Sequence, residues 1–176
     1  VLYNLARKYV ITAFVIAYIY TMKSLVLLLL SFCFFNQPSQ KELPEMNALV
    51  IQYVKTVVGK KVDRGECWDL ANQALTYAQA KWERPLLFGK LLKFEKDSLL
   101  PGDIIQFTGV TMEHKEGSST TRWSMIKHTA VVYEVRSSRQ LVLAEQNINN
   151  VKRVMLNEYN LDDIKSGKVQ FFRPVK

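Results

Sequence analysis

A thiol and an imidazole together can make an acyl-transfer centre, and the chain holds two of each: Cys33 and Cys67, His114 and His128. Cysteine attacks as its thiolate, which needs a lowered pKa, and a neighbouring histidine serves as base and then as acid. Cys33 lies in an apolar run near the N-terminus. His114 falls in the polar stretch Glu113–Ser119, which reads as an exposed loop. Cys67 and His128 are therefore the pair with chemical promise. One cysteine and one histidine so far apart along the chain make poor metal ligands, so no metal and no cofactor is expected.

Cys67 opens an apolar stripe, continued by Leu70, Ala71, Ala74, Leu75 and Ala78, at the spacing of a helix packed on a core. Asp63 followed by Glu66 resembles a capping box with Asp63 at the N-cap. The pattern predicts a helix over 67–81 with Cys67 in its first turn. The unpaired amides and dipole of a helix start favour an anion there, first a thiolate and then an oxyanion. Glu66 works against this, because an adjacent carboxylate raises a thiol pKa. As a packing residue, Cys67 would simply be the first member of the stripe.

His128–Val135 and Gln140–Asn147 are rich in β-formers and flank Arg136–Arg139, a plausible tight turn. With Ser137 and Ser138 at the loop centre, Ala130 pairs with Glu145 and His128 with Asn147. That register sets the imidazole beside Asn147 with Glu145 diagonal to it, where either could hold the ring nitrogen remote from the sulfur. A slip of one residue would select Gln146 instead.

These residues carry a resemblance. Gly65–Ala71 (GECWDLA), Pro101–Phe107 (PGDIIQF), His128–Val132 (HTAVV) and Ala144–Asn147 (AEQN) resemble the CHAP domain, the cysteine- and histidine-dependent amidohydrolases and peptidases related to the NlpC-type papain-like enzymes. The likeness covers about residues 47–174. It implies Cys67 as nucleophile, His128 as base, and Glu145 and Asn147 as the polar residues that orient the histidine. Glu66 stands where the family often has glutamine, and Trp68-Asp69 is an unusual continuation. The implied fold is α+β, with N-terminal helices packed on an antiparallel sheet or half-barrel. The residues agree independently: helical patterns at 46–58 and 67–81 precede strand-like runs at 103–107, 128–135, 141–146, 151–156 and 169–173. The polar stretch 108–127, which contains Trp123, reads as a loop over the active groove. Trp68 and Trp123 are the candidate substrate-binding aromatics.

Residues 22–36 have the layout of a secretory signal: Met22-Lys23, then an apolar run to Phe35, then a polar exit. A second apolar run, Val10–Tyr20, lies upstream. Either Met22 is the true start, or residues 10–35 form one membrane anchor with Lys23 inside it. The expected organisation is a leader over 1–36, a linker over 37–45 and a catalytic domain over 46–176, in an exported protein. The net charge is +8, which favours anionic partners in general. No arginine-rich run or aromatic-basic repeat singles out nucleic acid. The expected activity is hydrolysis of an amide bond in peptidoglycan. Its alternatives are another amide or a thioester, or a non-catalytic exported binding module on the same fold.

Overall fold

The computed structural model describes Met22, residues 42–82 and residues 87–176. The leader expected over 1–36, the anchor over 10–35 and Cys33 thus lie outside the described residues, Met22 apart. Among the described residues no helix is long and apolar enough to cross a membrane. The unit Leu43–Lys176 is compact by itself and contains the candidate nucleophile and base.

Helix α1 (Glu45–Val57) begins directly after Pro44, whose extended backbone (φ −52°, ψ 142°) marks the boundary. It buries Met46, Asn47, Val50, Ile51 and Val54, one stripe at helical spacing. Helix α2 (Cys67–Tyr77) buries Leu70, Ala71, Ala74 and Leu75. Its alanines bring the helix backbone close to the sheet. The expected continuation to Lys81 fails: the chain turns at Gln79, where φ is +55°. The N-cap is Glu66 rather than Asp63. Asp69 supplies the returning bond, accepting from the Glu66 amide at 2.9 Å, while Asp63 adopts φ +49° in the preceding turn.

Six strands follow: β1 (Lys90–Leu91), β2 (Ile104–Glu116), β3 (Ser119–Val135), β4 (Gln140–Glu145), β5 (Met155–Asn160) and β6 (Ile164–Arg173). They form one antiparallel sheet in the order β1-β6-β2-β3-β4-β5. Helices on one face of an antiparallel sheet make the fold α+β. Met46, Val50, Leu70, Ala71 and Ala74 pack with Ile104, Val131, Ala144 and Phe172 on one side of the sheet. Ile105, Phe107, Ala130, Val132, Leu143 and Phe171 form a second cluster, closed over by Leu92, Leu99 and Leu161. Each fully buried leucine or phenylalanine contributes about 2 kcal/mol by leaving water.

The stretch 108–127 is not a loop. It is the outer half of the β2–β3 hairpin, paired from Thr108↔Lys127 to Glu116↔Ser119. Its polarity misleads because most of this arm faces solvent, while Val110, Met112 and Met125 keep an apolar side. The arm is joined to the rest through a kink. Buried residues on β2 run Ile105, Phe107, then Val110, Met112; on β3 they run Met125, then His128, Ala130. Both strands change phase at the same place, around Gly109 and Ile126. Gly109 has φ +59° and Gly167 on β6 has φ +98°. A Cβ on Gly167 would sit 2.3 Å from the Gly109 carbonyl oxygen, so the close crossing requires glycine there. The kink leaves Ile126 87% exposed and turns His128 inward.

A buried polar clip ties α1 to the sheet. Asp103 accepts from Asn47 Nδ2 at 2.9 Å, the Leu100 amide at 2.9 Å and Arg173 Nη2 at 2.9 Å. Gly102 permits it, since a Cβ there would lie 2.5 Å from the Asn47 carbonyl oxygen.

Candidate active site

The inner half of the β3–β4 pair has the expected register, with Val131 opposite Ala144 and Val132 opposite Leu143. Nearer the turn the pairing slips by one, to Glu134↔Val142 and Val135↔Leu141, with an irregularity at Tyr133. Ser137 Oγ accepts from the Arg139 and Gln140 amides and shapes the turn. The altered turn and the bulge offset each other, so the site end of the hairpin lies where a tight turn would have placed it.

The imidazole of His128 meets Glu145: Nε2 to Oε2 is 2.7 Å, and both residues are buried. That leaves Nδ1 for Cys67, whose thiol is close enough to His128 for each group to shift the other's pKa. Cys67 is half-buried. Its sulfur also faces the backbone amides of Thr129 and Trp68. Helix start, strand β3 and strand β4 thus bring a thiol, an imidazole and a carboxylate into one line.

The electrostatics follow from these contacts. Burial pushes the Cys67 thiol up, but the bond to His128 and the two amides outweigh it, and the net shift is downward. Burial pulls His128 down, while its bonds to Cys67 and Glu145 raise it to about 9. Both shifts favour the thiolate–imidazolium form of the pair over the neutral one. Glu66 does not oppose this. Its carboxylate turns away to Lys152 Nζ at 2.5 Å and Asn147 Nδ2 at 2.8 Å.

Asn147 does not stand beside His128, contrary to the expected pairing. β4 ends at Glu145, and Asn147 adopts φ +64°, which takes its side chain out of the strand pattern and toward Glu66. Gln146 points to the other face, as alternation requires. It is fully buried, accepts from the Val62 amide at 3.2 Å and donates to the Val62 and Glu66 carbonyls at 3.0 and 2.8 Å. It pins the loop that delivers Cys67.

Two residues of the site escape the sequence reading. Asn157 Nδ2 donates to Glu145 Oε1 at 2.8 Å, and Tyr159 OH donates to the same carboxylate at 3.0 and 3.2 Å. The expected strand over 151–156 is instead β5 at Met155–Asn160, with Val151 and Val154 in isolated bridges. The period-two spacing of Asn157 and Tyr159 is the signal that a longer strand would have revealed. Burial beside Glu145 holds the Tyr159 hydroxyl protonated, well above its ordinary pKa, so it remains a donor.

Of the two candidate aromatics, Trp68 is adjacent to the nucleophile and half-buried, with the Arg64 guanidinium 5.5 Å over its ring. Trp123 lies on the hairpin arm, packs against the second core cluster and lines a depression of about 470 Å³ that Cys67 does not border. His114 is on β2, not in a loop, and meets Asp163 at 2.9 Å. Among the described residues no group of three or more histidine, cysteine, aspartate or glutamate side chains is arranged to hold a metal ion.

Two helices on an antiparallel sheet, with a thiol at a helix start facing an imidazole on the sheet, are the marks of a papain-like cysteine-proteinase fold. The chain belongs to the AIM3/BBC1 cysteine proteinase-fold domain family, which matches residues 36–176. It is 32% identical over 170 residues to Altered inheritance of mitochondria protein 3 of Debaryomyces hansenii, an alignment covering 81% of this chain and 18% of that protein. The chain thus spans less than a fifth of that relative's length. The crystal structure of Ly7917 superposes with a TM-score of 0.43 at 16% identity, over 73% of this chain and 62% of that one.

Proposed function

We propose that the domain is a cysteine-dependent hydrolase of an amide bond. One observation carries this reading: the unbroken chain from the half-buried Cys67 through His128 to the buried carboxylate of Glu145. The Cys67 thiolate attacks the carbonyl carbon. The Cys67 amide, first of its helix and without an intrahelical acceptor, is the donor available to the oxyanion. The imidazolium of His128 gives its proton to the leaving amine, and a thioester remains on Cys67. Neutral His128 then takes a proton from water as the hydroxide adds, and thiolate is regenerated with release of the acid. Glu145 stabilises the imidazolium and fixes the ring, and Asn157 and Tyr159 hold Glu145.

The CHAP likeness of Cys67, Pro101–Asp103 and His128 supports peptidoglycan as one amide substrate of this kind. The relative from a yeast, an organism without that polymer, favours an amide or thioester in a protein or conjugate. Purified protein on cell-wall sacculi, a peptide-amide library and a thioester panel separates these substrates. New amine ends or free thiols released by wild type and not by Cys67→Ala would support the hydrolase. Equal release by both, or none from any substrate, would defeat it.

A second reading is a non-catalytic module within a larger protein. It is favoured by the small share of the relative that the chain covers, and by a relative's name that records mitochondrial inheritance rather than a reaction. An electrophilic peptide probe distinguishes the two, because a silent module forms no adduct at Cys67 beyond that of an ordinary thiol.

A further inference from the structure

Gln106 is an amide buried in β2 between Ile105 and Phe107, only 1% exposed. An amide taken out of water is costly unless it is bonded. Gln106 is bonded at both of its polar atoms. Nε2 donates to the Phe107 carbonyl at 2.7 Å and to the His128 carbonyl at 3.0 Å. Oε1 accepts from Thr129 Oγ1 at 2.6 Å. Thr129 is buried too, and lies directly opposite Gln106 in the β2–β3 pairing. One side chain of β2 thus grips two consecutive residues of β3.

The His128 carbonyl and the Thr129 amide belong to one peptide unit. That unit is planar and trans, so its C=O and N–H point in opposite directions. Fixing the oxygen therefore aims the hydrogen. The β3–β4 pairing stops at Val131↔Ala144, two residues short of Thr129, and the Thr129 amide faces the Cys67 sulfur. Gln106 and Cys67 stand at the two ends of the same peptide, the amide on its oxygen and the sulfur on its hydrogen. A donor on the carbonyl also makes the N–H a better donor, because hydrogen bonds in series polarise one another.

We propose that Gln106 is a positioning residue, which fixes the peptide between His128 and Thr129 so that the Thr129 amide is held on the Cys67 sulfur. The inference deepens the hydrolase reading and rests on it for its consequence: the amide stabilises the thiolate before attack and again when the acid is released. Size alone does not require glutamine, since methionine fills a similar volume without the three bonds.

The titratable groups that face Cys67 or flank it in the chain stay in place when Gln106 is changed. They are His128 on β3 with Glu145 of β4 behind it, and Glu66 and Asp69 at the start of α2. Glu66 is held by Lys152 and Asn147, and Asp69 by Arg64. A change in the thiol titration then reports the orientation of the peptide.

The test uses the whole chain with Cys33→Ser, so that one thiol remains, and the rate of iodoacetamide alkylation against pH. Gln106→Met moves the Cys67 transition up by about 0.7 in pH and slows alkylation on its acid side about fivefold, the worth of one hydrogen bond. Thr129→Val keeps the shape but frees Gln106 Oε1, and gives about half that shift. Thr129→Ser keeps the hydroxyl and the wild-type transition. Asn47→Leu removes another buried amide, one bonded to Pro101 and Asp103; it lowers the urea midpoint and leaves the transition in place. An unmoved transition in both Gln106→Met and Thr129→Val overturns the proposal. Should Gln106→Met fail to fold, an unmoved transition in Thr129→Val alone overturns it. A transition raised equally by Asn47→Leu also overturns it, because that marks general loosening. If wild type hydrolyses no amide and Gln106→Met still moves the transition, the hydrolase reading fails and the positioning role stands. If wild type hydrolyses an amide and the transition does not move, the hydrolase reading stands and this proposal fails.

Discussion

His128 Nε2 lies 2.7 Å from Glu145 Oε2, and the other carboxylate oxygen is taken by Asn157 and Tyr159. A buried carboxylate with both oxygens engaged cannot swing, so the ring it holds keeps Nδ1 toward Cys67. Glu145→Gln keeps the shape and removes the charge. Hydrolysis should fall about a hundredfold, and the alkaline limb of the rate profile should move below 9 as His128 loses its support. Rates measured across pH on wild type and variant check this; an unchanged alkaline limb counts against the assignment.

Tyr159→Phe removes one donor to Glu145 and leaves Asn157 in place. Loss of that buried hydrogen bond should cost about 1–2 kcal/mol of stability. The rate of Cys67 alkylation should drop by only a few fold. Urea unfolding and alkylation kinetics give the two numbers, and a loss of reactivity as large as that in Glu145→Gln would show that Asn157 is not a second support.

Gln146→Leu strands the Val62 amide, and the Val62 and Glu66 carbonyls each lose one donor while keeping the Gly65 and Asp69 amides. Three hydrogen bonds disappear, at a cost of about 3 kcal/mol. The loop before α2 should loosen. Hydrogen exchange at residues 62–67 should rise ahead of exchange in the sheet, whereas uniform destabilisation would mean that Gln146 serves the core as a whole.

The shift of His128 also sets a pH dependence of stability. Its folded value of about 9 lies above the ordinary 6.5, so the folded state binds the proton more tightly. The resulting stabilisation is complete below 6.5 and is lost as pH rises through 9. Cys67 has the opposite sign. Its lowered value contributes above the ordinary thiol range, and that contribution is lost as pH falls through the folded value. The stability difference between wild type and His128→Gln, measured by urea unfolding from pH 6 to 10, should shrink toward the alkaline end; a flat difference contradicts the shift.

The two helices are legible in the sequence because their apolar stripes are strict, and Cys67 at a helix start follows from the stripe alone. His128 and Glu145 are legible because the strands flanking Ser137-Ser138 alternate cleanly. Asn147 departs from its expected place because a period-two count continues past the point where the strand ends; the local mark of its positive φ is only that it is an asparagine, as are Asn149 and Asn150, which share that conformation. The β2–β3 arm resembles a loop in sequence because a strand exposed to solvent on most of its length loses its apolar signature. The kink at Gly109 and Gly167 joins residues far apart in sequence and has no local signal beyond two glycines. Asn157 and Tyr159 stay hidden when β5 is set four residues too early.

The chemistry depends on a thiolate at Cys67 sustained by His128, and the ultraviolet thiolate absorbance against pH reads it directly. With Cys33 changed to serine, so that one thiol remains, the absorbance should persist well below the pH at which an ordinary thiol protonates, and His128→Ala should return the transition to the ordinary range. A wild-type transition in the ordinary thiol range, unmoved by His128→Ala, would contradict it.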